Sequence, residues 1–305
     1  MKVVIAIDSF KGCMNSMEAG NAAKAGILKV CDAQISVKPL ADGGEGTTEA
    51  LVEGMGGEYV FVEVTGPLGT KRRARYGILG DGRTAVMEMA EAAGIILLKP
   101  EELNPSRATT YGVGEMIMDA VKRGCREFII GIGGSATSEG GVGMLQALGY
   151  EFKTQDGNPI RRGLQDLDCI MAISKENVPK VLKEGHFRVA CDVTNPLCGE
   201  NGAVYVYGPQ KGVKEEEKPI FDGMMAHYAD KTQEYKGVDY RMAEGAGAAG
   251  GLGFAFLSYL PNVELKSGID IVLEAVGLEQ EIRDADIAIT GEGRLDSQTA
   301  MGKAP

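Results

Sequence analysis

The chain has 305 residues, enough for one large α/β domain or two smaller ones, with 44% hydrophobic and 25% charged residues. Its 43 acidic and 32 basic residues give a formal net charge of -11, which argues against nucleic acid or an anionic membrane as partner and for a small solute. No apolar run approaches a membrane-spanning length, and the six cysteines are scattered without a C-x-x-C pair, so a transmembrane protein, a zinc ribbon and a thioredoxin-type redox site are excluded.

The cysteines are expected to be mostly small buried hydrophobes, and a cytoplasmic location is expected because the apolar run at 3–7 is too short for a signal core. Only two histidines occur, His186 and His227, and neither sits in a glycine-rich or acidic cluster. Any general base is therefore expected to be a carboxylate.

Along the chain, short β-branched runs alternate with helix-like stretches, a pattern that predicts a largely parallel sheet. VVIAI (3–7) runs into DSFKG, with a helix expected over 17–30; ISVKPL (35–40) runs into DGGEGT, with a helix over 47–53. The alternation in YVFVEVTGPLGTKRRARYGIL (59–79), with its GPLG turn, predicts an antiparallel ribbon that marks a domain crossing. EFIIGIGG (127–134) opens SATSEGG, RVACD (188–192) leads into VTNPLCGENG, and ADIAIT (285–290) leads into GEGRLD. KEEEK (214–218) reads as a solvated helix start.

Five loops thus follow the carboxyl ends of strands, where open α/β sheets bind ligands. Their glycines, from a chain that holds 44, permit close backbone approach and N–H cradles for anions, although any one loop alone reads as a tight turn. No G-x-x-x-x-G-K-[ST] is present, so a P-loop is excluded. GAGAAG (245–250) matches a dinucleotide fingerprint but follows no strand; GIGGSA (131–136) does follow one, with Glu151 near the offset of a ribose-binding acid. A nicotinamide-dependent oxidoreductase using 131–136 is the alternative reading, weakened by Gly140, Gly141 and Gly143 where a helix should start. The loops also mix carboxylates and cations: Asp8, Lys11, Asp42, Glu45, Asp192, Arg294, Asp296 and Lys303 all occupy or adjoin strand ends. Phosphoryl transfer needs that mixture, cations and N–H groups for the phosphoryl charge, carboxylates for Mg²⁺ and for the hydroxyl proton.

In order along the chain stand IDSFKG, LADGGEGT, GIGGSATSEGGVGML, CDVTNPLCGENGA, YGPQKG, GAGAAGGLG and ITGEGRLDSQTAMGKAP. Together they resemble the bacterial ATP-dependent glycerate kinases of the type I class, from the first strand to the last residue. The resemblance implies ATP-dependent phosphorylation of D-glycerate, 2-phosphoglycerate rather than 3-phosphoglycerate being the expected product. It implies an α/β fold of two domains: a Rossmann-like parallel-sheet domain from 1–65 together with 286–305, a second α/β domain inserted at 66–285, and the active site in the cleft between them. Members continue some tens of residues beyond GKAP, so the C-terminal part of the first domain is expected to lie past Pro305. An inactive ligand-binding remnant and self-association through an open sheet edge are the corresponding expectations.

Within that frame Asp192 is expected as base or Mg²⁺ ligand, Asp296 as a further metal ligand, and Lys11 and Arg294 as catalytic cations on the glycerate carboxylate or the ATP phosphates. Asp8, Ser9, Asp42, Gly43, Gly44, Glu45 and Asn195 are expected around glycerate. Gly133, Gly134, Ser135, Thr137 and Lys303 are expected around the nucleotide.

Overall fold

A computed structural model describes residues 1–10, 12–44 and 46–294. The first strand, β1 (Lys2–Ile7), has five of its six residues buried, as a central parallel strand covered on both faces must. After helix α1 (Ser16–Ile27) and strand β2 (Gln34–Pro39) comes the eight-residue helix α2 (Thr47–Gly54). Asn15 starts α1 with a reciprocal cap: its side chain accepts the Glu18 N–H while Glu18 accepts the Asn15 N–H.

Next β3 (Glu58–Thr65) and β4 (Lys71–Ile78) form the expected antiparallel ribbon, Glu58 opposite Ile78 and Thr65 opposite Lys71. It is closed at Gly66–Thr70 by a 2.7 Å N–H···O bond. The chain then runs through β5 (Thr84–Glu88), the single turn α3 (Ala90–Ala93), α4 (Tyr111–Lys122), β6 (Glu127–Gly131) and α5 (Val142–Ala147). A small antiparallel pair follows, β7 (Glu151–Lys153) with β8 (Ala172–Ser174), then β9 (His186–Ala190) and α6 (Ala203–Tyr207). The remaining described elements are α7 (Lys218–Lys236), α8 (Ala248–Tyr259), β10 (Val263–Lys266), α9 (Gly268–Val276), α10 (Leu278–Arg283) and β11 (Ile287–Gly291).

Two principal sheets result. The smaller has the order β11-β1-β2, all parallel, with Val3 opposite both Ile287 and Ile35. The N-terminal strands and the strand at 285–290 do share a sheet. The larger has the order β10-β9-β6-β5-β4-β3, parallel from β5 to β10 and antiparallel at the ribbon end. Strand β3 belongs to this larger sheet, so residue 65 falls at the ribbon turn.

The largest core fills the helical side of the six-stranded sheet, where Phe128 and Phe187 stack at 4.7 Å and Tyr228, Tyr259, Phe152 and Phe254 meet edge to face or in parallel. A second core joins the sheets. Leu51 of α2 and Ile271 and Val272 of α9 pack with Val4 and Leu40 of the small-sheet side and Val86, Ile129 and Ala190 of the large one.

Three sequence expectations are corrected. Among the six free cysteines only Cys125 is buried, and Cys13 and Cys169 are exposed, because most of them sit on turns and element ends and not on inward faces. The 131–136 segment is not a dinucleotide fingerprint: α5 begins only at Val142, after Gly140 and Gly141 in left-handed conformations, so no helix N-terminus meets the glycines. Glu151 lies on the small β7-β8 pair, bonded to Asn177 and Lys153, and not at the end of a neighbouring parallel strand. The histidines behave as expected: His186 is exposed, and His227 Nε2 pairs with the Ile170 carbonyl at 2.8 Å.

Candidate active site

A cleft of about 700 Å³ opens where the strand ends of the two sheets face each other. One wall carries Asp8 and Ser9 after β1, and Leu40, Ala41, Gly43 and Gly44 after β2. The other carries Gly131, Gly133 and Gly134 after β6, with Ala90, Glu91, Ile96 and Leu97 beside them. Arg72, Arg75 and Glu88 from the ribbon and β5 also reach it.

The loop after β2 turns on itself: Asp42 Oδ1 accepts the Gly44 N–H at 3.0 Å. Gly43 stands at φ +84, and a Cβ there would lie 2.3 Å from Gly268 Cα and 3.0 Å from Ala190 Cβ. On its other side, a Cβ on Gly131 would lie 2.8 Å from the Gly43 carbonyl oxygen. Gly43 is thus the point where bare backbone of the small-sheet side meets bare backbone of the large sheet. At that seam Asp192 Oδ1 accepts the Gly268 N–H at 3.0 Å, so the carboxylate after β9 is tied to the N-terminus of α9. The end of β11 meets the end of β1 nearby, the Asp8 N–H donating to the Gly291 carbonyl at 2.8 Å, while Asp8 Oδ1 accepts the Ser9 N–H at 2.7 Å.

The loop after β6 is sewn down on both flanks. The Ile95 N–H donates to the Gly134 carbonyl and the Ala136 N–H to the Ala93 carbonyl, at 2.8 and 2.9 Å. Its later residues turn inward: Ser135 Oγ accepts from the buried Lys211, and Thr137 has no solvent exposure. Further in, Glu139 is fully buried and accepts from the N–H groups of Thr110, Gly143 and Gly163 and from the Thr110 hydroxyl. Burial holds its carboxyl above the usual carboxylate range, against the pull of those donors.

Charge around the cleft is mixed. Arg75 is shared between Glu91, at 3.2 Å, and Glu49, at 3.9 Å. Glu88 accepts the Thr48 N–H at 3.0 Å, and burial raises its pKa. Arg72 also lines the cleft, and its Nε is buried with no hydrogen-bond partner among the described residues.

Of the residues expected from sequence, Asp8, Ser9, Gly43, Gly44, Gly133 and Gly134 line the cleft together. Asp42 shapes the loop beside them, and Asp192 joins it through Gly268. Asn195 is bonded locally, to the Asn201 carbonyl and the Tyr207 hydroxyl. Arg294 is exposed just after β11. Lys11, Glu45, Asp296 and Lys303 lie outside the described residues. Sequence reasoning missed Arg72, Glu88, Glu139 and Lys211. Lys211 and Glu139 had a signal, their places in the YGPQKG and GIGGSATSEGGVGML motifs, whereas Arg72 and Glu88 stand outside those motifs.

Two opposed α/β sheets, a cleft at their strand ends and walls of bare glycine backbone define an enzyme that handles small anionic reactants. The profile of the Glycerate kinase family matches residues 3–305. A glycerate kinase of Haemophilus influenzae is 47% identical over all of this chain and 81% of that protein, and a glycerate 2-kinase of Escherichia coli is 46% identical over all of this chain and 80% of that protein. A crystal structure described as a candidate glycerate kinase 2 from Salmonella typhimurium LT2 superposes with a TM-score of 0.95 at 45% identity, covering 98% of this chain and 80% of that one. The chain belongs to the glycerate kinase family and is a kinase.

Proposed function

We propose that the protein transfers the γ-phosphoryl group of ATP to the 2-hydroxyl of D-glycerate inside this cleft. The observation that supports the reading is the pair of glycine walls: Gly43 and Gly44 on one side, Gly133 and Gly134 on the other, with Asp8 and Arg72 also lining the cleft. Backbone without Cβ atoms admits both anions closely, and its fixed N–H groups stabilise charge that spreads over the transferred group. The wall after β6 is assigned to the nucleotide phosphates, as is Lys303 from its motif, and the wall after β2, with Ser9, to glycerate.

In the reaction the glycerate hydroxyl oxygen attacks the γ-phosphorus, the bond to the β-phosphate oxygen breaks, and the hydroxyl proton passes to a carboxylate. Asp192 is assigned as that acceptor, being held in place by the Gly268 N–H. Lys11 and Arg294 are assigned to the carboxylate of glycerate and the phosphates as charge partners. Among the described residues no group of three or more His, Cys, Asp or Glu side chains is assembled around a point. Asp8 gives the cleft a carboxylate of the kind Mg²⁺ takes, since that ion keeps several waters and binds one or two carboxylates plus substrate phosphates. Asp8, with Asp296, would hold it, and the ion would neutralise charge on the β- and γ-phosphate oxygens. No helix among the described residues is long and apolar enough to cross a membrane.

A coupled assay with ATP, Mg²⁺ and D-glycerate tests the proposal. Turnover is expected, with the 2-phosphate as product by phosphorus NMR. Binding of ATP or glycerate without turnover would support a ligand-binding remnant instead. Asp192→Asn is expected to abolish turnover, and a near-normal kcat would remove Asp192 from its role. Asp8→Asn is expected to raise the Mg²⁺ requirement, and an unchanged requirement would move the metal elsewhere.

A further inference from the structure

Lys211 ends the short turn Pro209–Lys211 and is 1% exposed. Its ammonium group donates to Ser135 Oγ at 2.7 Å and to the Thr137 carbonyl at 2.6 Å. Among the described residues no neighbouring charge contributes to its state; burial lowers its pKa from 10.5 to about 7. Placing an amine in such a dry position is costly, and a methionine would fill the same space without that cost. The position therefore calls for a reason other than packing.

Both acceptors lie in the loop whose preceding residues, Gly133 and Gly134, line the cleft. Glycine carries no side chain by which a wall of this kind can be fixed, so its orientation must come from fasteners behind it. On one flank these are the Ile95 and Ala136 backbone bonds. On the other are Gly250, packed so closely that a Cβ there would lie 2.0 Å from the Thr137 oxygen, and Lys211.

We propose that Lys211 is a positioning residue for phosphoryl transfer, tying down the Ser135 hydroxyl and the Thr137 carbonyl so that the Gly133 and Gly134 peptides stay aimed at the ATP phosphates. This rests on assigning the β6 wall to the nucleotide. Lys211 itself touches neither reactant. It acts through a turn contributed by a part of the chain some seventy residues away.

The test is steady-state kinetics of the full chain and its Lys211→Met, Ser135→Ala and double variants, with melting temperature recorded for each. Lys211→Met is expected to melt within a few degrees of the wild type, to raise the KM for ATP about tenfold and to lower kcat by up to about a hundredfold, the loss that a displacement near 1 Å produces. The KM for glycerate should move far less than that for ATP. Ser135→Ala is expected to raise the KM for ATP severalfold alone and to add nothing in the Lys211→Met background, because the two act as one unit. Lys211→Met with both parameters within about twofold of the wild type would overturn the proposal, as would full multiplication of the two losses in the double variant. If Lys211→Met fails to fold, Ser135→Ala decides: an unchanged KM for ATP overturns the proposal. A wild-type chain that shows no turnover would instead refute the kinase reading, before Lys211 is at issue.

Discussion

Replacing Gly43 with alanine tests whether the cleft depends on contact between two bare backbones. At φ +84 the new side chain meets the ordinary left-handed penalty of about 1–2 kcal/mol. Its Cβ would also stand 2.3 Å from Gly268 Cα, about 1 Å short of the 3.4 Å at which ordinary contact begins. Backbone cannot rotate away as a long side chain can, so β10–α9 must shift, at an overpacking cost of about 1–3 kcal/mol. The total is about 3 kcal/mol, a fall of roughly 5 °C in melting temperature for a protein of this size. The shift also loosens the 3.0 Å bond from the Gly268 N–H to Asp192, so kcat should fall about a hundredfold. Gly82→Ala is the control: it has φ +66 but nothing within 4 Å of its Cβ, so it isolates the conformational penalty and should cost about 1 kcal/mol with kcat intact. Scanning calorimetry and the coupled assay read both quantities. Gly43→Ala melting within a degree or two of Gly82→Ala, with kcat unchanged, would refute the seam.

Further outcomes follow from other groups. Folded Lys211 releases its proton at about pH 7 and the unfolded chain holds it to 10.5, so between those values the unfolded state binds more protons. Wild-type stability relative to Lys211→Met, followed by urea unfolding, should therefore rise from pH 7 to 10, and a flat difference would contradict a dry amine. Glu139→Ala should lower stability by about 3 kcal/mol or more, because it strands several buried N–H donors, and a loss under about 1 kcal/mol in urea unfolding would mean that water replaces the carboxylate. Tyr76→Phe removes the 2.7 Å hydroxyl bond to Asp119, outside the cleft; it should cost about 1 kcal/mol and leave kcat unchanged in the coupled assay. Cys13 is exposed and lines the cleft whereas Cys125 is buried, so iodoacetamide should label Cys13 before Cys125, with ATP and glycerate slowing the reaction of Cys13 but not that of exposed Cys169; mass spectrometry reads all three.

Strands β1, β2, β6, β9 and β11 were legible because each is a short β-branched run ended by glycine or aspartate, a signal contained within a few residues. The ribbon was equally local, since alternation and a GPLG turn suffice to pair β3 with β4. Its sheet was not, because membership is decided by β5 pairing with β6 on the far side of α3 and α4. The site divides in the same way. Asp8, Gly43 and Gly133 announce themselves at strand ends, but Arg72 stands within the ribbon strand β4 and only the folded sheet brings it to the cleft. The inward turn of Thr137 depends on Gly250 and Lys211, which reach it from over seventy residues away, beyond any local pattern.

The seam at Gly43 and Gly268 also bears on how this cleft can change. Both partners are already the smallest residue available, so neither can retreat to make room, and any substitution at one has no compensating substitution at the other. The floor of the cleft is at minimum thickness. A larger acceptor acid can be accommodated only by remodelling the opposite rim, where Ile96, Leu97 and Arg72 still have side-chain atoms to give up.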